Sequence, residues 1–579
     1  MARHLVSAAA IFILVAVAAA QTTQPGAAPR FGLYEVVLTS DANFNNPFWD
    51  AKAQAVFTSP AGKTVQVEGF YYGPKEWRVR LAPREEGTWK YQATLKGKPV
   101  EGAEVNVKTD GAFECKGQQG HGFLKLSKLN PYRMEYEDGK AFYGVGIQTC
   151  GVIQKVDLDG PEAGQGWRTA TPAEWCKEFQ DAVNLVRIQL GQGNTSGLAV
   201  PMIPPPTLPG KDKTQDNPRY AEVLPEGVPD RYDLDIAAKL DDVYRLHRAA
   251  GFSQILILMQ DMSAFGRQKT AFGFNTNLDN YKSVAAESLP LQEKYIRYLV
   301  ARYGCFVDIW EMFNEDSYAP EDYLAHLHKV IRQADPYGHI ITSNFSSYDQ
   351  PFCEIITPHE YVSIPAKDID VYLSKQIAAY KSFGKPVQYT EFGNKSNLSN
   401  YDPVKWRLAL WTAYMNECGM LYWSQSGSKT LPRETISGNS NTYIGPDTRQ
   451  HFRAFFQIAG DLPIDMRPRY VYPGYWGFRG YALGNGKFSI VYLHHYEDHA
   501  KELKLADGIM VDTGPGNFRC AWFDPASGKA LGEPRDIVTR QRFSSLLVPP
   551  FTIDVVCRVE RQDQPASAKA AGAPAAGQD

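Results

Sequence analysis

Between about residues 140 and 460 the chain carries eight short apolar runs, most of them followed by a helix-like stretch. The runs are FYGVGIQ (142–148), NLVRIQL (184–190), ILILMQD (255–261), VDIWEMFNE (307–315), HIITSNFS (339–346), EIITPHEY (354–361), KPVQYTEFG (385–393) and MLYWSQ (420–425). Between them lie segments such as TPAEWCKEFQDA (171–182), which opens on a capping threonine, and DLDIAAKLDDVYRLHRAAG (233–251), which closes on a glycine. Strands without polar alternation are buried on both faces, and that requires a parallel sheet flanked by helices. Eight such units predict an α/β fold, a (β/α)8 TIM barrel spanning 120–463. A doubly wound open sheet is the alternative, but no glycine-rich phosphate loop follows the first run.

On either side the period changes to two. Trp77, Val79 and Leu81 alternate with Arg78 and Arg80, and Trp89, Tyr91, Ala93 and Leu95 repeat the pattern after a turn. This predicts an N-terminal β-sandwich, immunoglobulin-like, over 31–115. Phe488, Ile490 and Tyr492, then Ile553, Val555, Cys557 and Val559, predict a C-terminal β-sandwich over 464–561. The tail 562–579 is rich in Ala, Pro and Gly and is expected to be disordered. At the front, Arg3, an apolar run from Leu5 and the Ala18–Ala20 triplet read as a signal peptide over 1–20. The protein is therefore expected to be secreted or periplasmic, with no membrane association after cleavage.

With 61 basic and 64 acidic residues, the chain lacks the basic excess that nucleic-acid binding requires. Its eight cysteines form no C-x-x-C pair, which argues against a zinc ribbon or a thioredoxin motif. Cys520 and Cys557 fall in one small domain and could pair; the others read as buried thiols. HHYEDH (494–499) reads as a solvated hairpin tip rather than a metal site, and DANFNN (41–46) is only loosely like a calcium loop. No metal or cofactor is expected.

Barrel chemistry gathers at the C-terminal ends of the strands. Those ends supply Arg187, Gln260, Asp261, Asn314, Glu315, Asn344, His359, Tyr361, Glu391 and Trp423. Glu315 and Glu391, on the fourth and seventh strands, would face one another across the mouth. Paired carboxylates are what glycoside hydrolysis needs, one protonated toward the leaving oxygen and one ionised toward the anomeric carbon. Arg187 and the Tyr361 hydroxyl would hold Glu391 ionised, while Glu315 keeps its proton. Glu311, further back in its strand, and Asp316, just beyond, read as structural. Two long connections, 191–232 and 424–448, are expected to wall the cleft, with Tyr220 and Tyr443 as sugar platforms.

WEMFNE followed by PVQYTEFG resembles the paired-glutamate signatures of clan A glycoside hydrolases, the retaining (β/α)8 superfamily of cellulases, mannanases and β-galactosidases. The resemblance covers roughly 140–460, and the two sandwiches resemble modules that flank uncharacterised bacterial barrels of this superfamily. It implies Glu315 as general acid/base and Glu391 as nucleophile. It also implies that Arg187, Asn314, His359, Tyr361 and Trp423 serve the substrate, Asn314 at the sugar 2-hydroxyl and Trp423 as the subsite floor. Several clan members carry a histidine where Gln260 and Asp261 end strand 3, so the sugar is left open. The expected activity is a secreted retaining glycoside hydrolase on β-linked poly- or oligosaccharide. A non-catalytic carbohydrate-binding protein and a transglycosylase are the alternatives.

Overall fold

The computed structural model describes residues 26–149, 168–169, 171–189, 231–232, 234–260, 289–315, 319–344, 347–394, 402–422, 436–437, 446–472 and 477–562. The predicted signal peptide and the tail beyond Gln562 lie outside these residues, as do Asp261, Trp423, Asp316, Tyr220, Tyr443 and nearly all of both long connections.

All eight predicted strands are present: β1 (Val145–Thr149), β2 (Leu185–Gln189), β3 (Ser253–Gln260), β4 (Ile309–Asn314), β5 (Ile340–Thr342), β6 (His359–Val362), β7 (Val387–Asn394) and β8 (Cys418–Tyr422). They form one sheet in the order β5-β4-β3-β2-β1-β8-β7-β6, and every ladder in it is parallel. The sheet curls because β1 pairs with β8. It is not closed by a ladder, since β5 and β6 do not pair as strands. The predicted sixth strand is cut short at its start, where 354–358 gives only an isolated bridge from Ile356 to Val387. Single bonds span this seam instead. Glu354 N–H donates to the Ile341 carbonyl at 2.9 Å, the Thr342 hydroxyl to Ile355 O at 2.8 Å, and Asn344 Nδ2 to Thr357 O at 2.9 Å.

Around the sheet run α1 (Pro172–Phe179), α2 (Leu234–Ala249), α3 (Leu289–Tyr303), α4 (Glu321–Ala334), α5 (Ile369–Lys381), α6 (Pro403–Met415) and α7 (Pro446–Ala459). A capping box starts α1: Thr171 Oγ1 accepts from Glu174 N–H, and Glu174 accepts from Thr171 N–H. On α4 only one stripe is buried, through Tyr323, Leu324, Leu327, Val330 and Ile331. By contrast every residue of α6 from Lys405 to Met415 is buried. The helix has no exposed stripe there because the C-terminal sheet covers its outer side, where Trp411 stacks on Tyr492 at 5.6 Å and Arg407 grips Asp554 at 2.7 and 3.0 Å.

A small antiparallel sheet, Leu124–Leu126, Met134–Tyr136 and Ala141–Phe142, precedes the barrel. Leu124, Met134, Tyr136 and Phe142 form one apolar cluster with Leu185, Ile255, Ile309 and Ile340, residues at or near the starts of β2 to β5, and with Leu421 of β8. The barrel is thereby plugged at its N-terminal end, a feature the strand count alone did not suggest.

Residues 27–118 form a five-stranded and a three-stranded sheet. Alternation put Arg80 on a polar face, yet it is fully buried, because that face meets the barrel. Its guanidinium forks onto Asp241 of α2 at 2.8 and 2.9 Å, and Arg302 of α3 takes the same carboxylate. Beyond residue 466 come a six-stranded and a three-stranded sheet. Cys520 and Cys557 sit there on neighbouring strands as free buried thiols rather than a disulfide. The HHYEDH segment is a solvent-facing turn only from Tyr496 onward. His494 and His495 end the strand Phe488–His495 and are buried, and His494 Nδ1 lies 2.9 Å from Asp370 of α5.

Candidate active site

Parallel register sets the site. Gln148 of β1 is level with Arg187 of β2, Gln260 of β3 with Asn314 of β4, and His359 of β6 with Glu391 of β7. These pairs lie on different rungs, since Arg187 is itself level with Ile255 and Ile309. The curl of the sheet and the reach of long side chains such as Arg187, rather than local sequence, assemble the cluster.

Arg187 is its hub. Fully buried, it meets Glu311 fork to fork, Nε on Oε2 at 2.8 Å and Nη2 on Oε1 at 2.5 Å. Nη2 also donates to Asn314 Oδ1 at 2.6 Å, and Nη1 to Glu391 Oε1 at 2.6 Å and to Gln148 Oε1. Burial works against the charge of Arg187, but Glu311 and then Glu391 outweigh it and push its pKa up. Glu311, read as structural from its place in the strand, is the counter-ion that fixes the guanidinium. Burial still raises it above the usual carboxylate range despite Arg187. Gln148 escaped the sequence reading altogether; its only signal is its place at the end of the first strand.

Glu391 is nearly buried, and both its oxygens receive donors: Arg187 on Oε1 and the Tyr361 hydroxyl on Oε2. Burial first, then Glu391, raises the Tyr361 phenol far above its ordinary value, so it remains a donor. Glu315 differs. Its side chain is 38% exposed, and Arg187 makes no hydrogen bond to it. Partial burial is the main cause that raises its pKa, with Arg187 as a weaker opposing influence. Glu315 also holds a left-handed backbone, φ 51°, and its N–H donates to Asn344 Oδ1 at 3.2 Å.

His359 links the pair. Nδ1 lies 3.0 Å from Glu315 Oε1 and 3.5 Å from Glu391 Oε2, and Nε2 lies 3.1 Å from Thr390 Oγ1. Burial first lowers the His359 pKa to about 3, so the ring is neutral at working pH. Glu315, His359 and Glu391 each bring one ligating atom within 4.8 Å of the others, the one such trio found among the described residues. A divalent cation there would meet the Arg187 guanidinium, already on Glu391 and of like charge. The trio is therefore a hydrogen-bonded acid–base cluster rather than a metal centre.

Of the predicted site residues, Arg187, Asn314, Glu315, His359, Tyr361 and Glu391 converge. Asn314 spends its carbonyl on Arg187, and its amide N–H groups meet no acceptor among the described residues. Gln260 ends β3 level with Asn314, though its side chain, like Asp261 and Trp423, lies outside the described residues. A carboxyl raised by burial beside a carboxyl that accepts two hydrogen bonds, with oxygens this close, can perform proton transfer and nucleophilic attack on one substrate atom pair.

A family model described as a domain of unknown function, DUF5060, matches residues 27–96, within the N-terminal sheets. No curated protein matches the chain. Among solved structures, a candidate glycoside hydrolase from Bacteroides vulgatus ATCC 8482 has 16% identity and a TM-score of 0.64, with 93% of this chain and 100% of that one covered. A family 5 glycoside hydrolase from the same organism has 14% identity and a TM-score of 0.51 over 78% of this chain and 95% of its own. A third, described as a glycoside hydrolase, has 12% identity and a TM-score of 0.50 over 76% and 97%. At such identities the likeness is one of fold: a parallel barrel-like sheet with β-sheets on its flanks.

Proposed function

We propose that the chain is an exported retaining glycoside hydrolase acting on β-linked poly- or oligosaccharide. The observation that carries this reading is the pair Glu315 and Glu391. They sit at the ends of β4 and β7, with carboxylate oxygens within 4.8 Å and contrasting surroundings. Retaining enzymes hold their carboxyl groups roughly 5–5.5 Å apart, and inverting enzymes leave about 6.5–9.5 Å for a water. The likeness in fold to structures described as glycoside hydrolases supports the coarser reading of a glycosidase.

Glu391, held by Arg187 and Tyr361, attacks the anomeric carbon while Glu315 gives its proton to the departing oxygen. The bond from C1 to the leaving group breaks, and an ester to Glu391 forms. Glu315, now ionised, takes a proton from water, which attacks C1 and releases Glu391. Asn314 shares Arg187 with Glu391, its amide N–H groups meet no acceptor among the described residues, and on this reading it would hold a sugar hydroxyl.

The test is a panel of aryl β-glycosides and plant and algal β-glycans, read by released phenol and new reducing ends. Glu391→Ala should abolish turnover and recover part of it with azide, which attacks from the vacated face and gives a glycosyl azide of inverted configuration. Full activity in that variant refutes the assignment. Mass spectrometry of the exported protein checks the signal peptide, which should be missing from its N-terminus.

A further inference from the structure

Resting on that reading of Glu315 as the acid, we propose that the unladdered seam between β5 and β6 is the acid's positioning device, with Asn344 and Thr390 acting on Glu315 through its backbone and through His359. Neither residue contacts the space above the two carboxylates; both act through others.

Two arms lead from the seam. The first is Asn344, which follows β5. Its Oδ1 accepts the Glu315 N–H at 3.2 Å, and its Nδ2 donates to Thr357 O and Oγ1 at 2.9 and 3.1 Å. A non-glycine residue in the left-handed region is disfavoured and must be held there by its surroundings. The carbonyl of Asn344 supplies that hold at Glu315, φ 51°. A regular ladder from β5 to β6 would engage Thr357 in strand pairing. Its absence leaves Thr357 O and Oγ1 for Asn344.

The second arm is Thr390, the residue before the nucleophile. We assign its hydroxyl as the donor to Thr357 O at 3.4 Å, which leaves its oxygen to accept from His359 Nε2–H, 3.1 Å away. With the proton on Nε2, a neutral imidazole offers only a lone pair at Nδ1. That lone pair faces Glu315 Oε1 at 3.0 Å and is satisfied when Glu315 carries the proton. The seam thus orients the acid and keeps it an acid. The other groups around Glu315 are Arg187 on β2, Glu311 on β4, Tyr361 on β6 and Glu391 on β7, and neither arm alters them.

Paired aryl β-glycosides separate this role from mere support of the fold. A 2,4-dinitrophenyl leaving group departs without protonation, whereas a phenyl group with an electron-donating substituent needs it. In Asn344→Leu, kcat/KM for the poor leaving group should fall about 10²-fold, the scale of a misplaced catalytic group. For the dinitrophenyl glycoside it should stay within about threefold. Two milder variants carry the pH readout with opposite signs. Asn344→Asp places a carboxylate beside Glu315 and moves the basic limb of the pH profile up. Thr390→Val frees His359 to turn Nδ1–H toward an ionised Glu315 and moves that limb down. Equal losses on both leaving groups in Asn344→Leu, or basic limbs unmoved in the other two, overturn the proposal while Glu391→Ala remains dead. Activity in Glu391→Ala instead overturns the glycosidase reading itself.

Discussion

Replacing Arg187 with Met tests the hub of the site. The guanidinium is the partner of Glu311, both side chains being wholly inaccessible to solvent. Removing one member of a buried pair typically costs about 3–5 kcal/mol, because the remaining charge is left uncompensated. Glu311 has one escape, to take up a proton. Burial already raises it above its ordinary value with Arg187 present, and without Arg187 its folded pKa rises further. A carboxyl whose folded pKa exceeds its unfolded one binds more protons when folded, so stability falls as pH rises through the interval between the two values. The slope approaches about 1.4 kcal/mol per pH unit. Arg187→Met should therefore be only mildly destabilised near pH 5 and strongly so at pH 8. At roughly 2–4 °C per kcal/mol for a mid-sized domain, the shift in Tm at pH 8 is on the order of 10 °C. Adding Glu311→Gln should restore much of the loss and flatten its pH dependence. Scanning calorimetry of the three proteins at both pH values is the assay. A loss below about 1 kcal/mol that is equal at pH 5 and 8 would refute the reasoning.

Three other outcomes follow from the same contacts. Tyr361→Phe removes a hydroxyl that donates to Glu391, and kcat/KM on aryl glycosides should fall about 10- to 100-fold, the scale of one charge-assisted bond of about 1.5–3 kcal/mol. Because burial raises Glu315 above the ordinary carboxylate value and the proposed role requires it protonated, the basic limb of kcat/KM should lie above that value. Glu315→Gln should erase the limb and leave dinitrophenyl substrates the least affected, and a limb that survives would show that another group titrates. Arg80→Ala leaves Asp241 with Arg302 alone, and urea unfolding should register a loss of about 3–5 kcal/mol with activity at low denaturant preserved.

Much of this was legible in the chain because burial on both faces of a parallel sheet leaves an unmistakable trace. NLVRIQL and MLYWSQ read as central strands, and their order in sequence fixed which ends met. The glutamates were found the same way, by counting strands, since Asn-Glu alone means little. What the chain concealed depends on contacts between distant segments. Arg80 alternates like an outward residue, and only the presence of α2 and α3 against it makes it interior. HHYEDH looks solvated until Asp370 is brought to it. The missing ladder beside β5 leaves no mark in EIITPHEY, whose composition is that of a strand throughout. Cys520 and Cys557 show the converse limit: belonging to one domain says nothing about bonding.

The plug under the barrel has a consequence for traffic. Leu124, Met134, Tyr136 and Phe142 shut one end of a sheet whose interior is already filled with side chains. On the proposed function, water, protons and sugar would then reach Glu315 and Glu391 from the opposite end alone. A bound glycan there would stand between the carboxylates and bulk solvent for the life of the proposed covalent intermediate. The water that ends each cycle would have to come in past the departing half of the substrate, so release of that half would set the pace of the next.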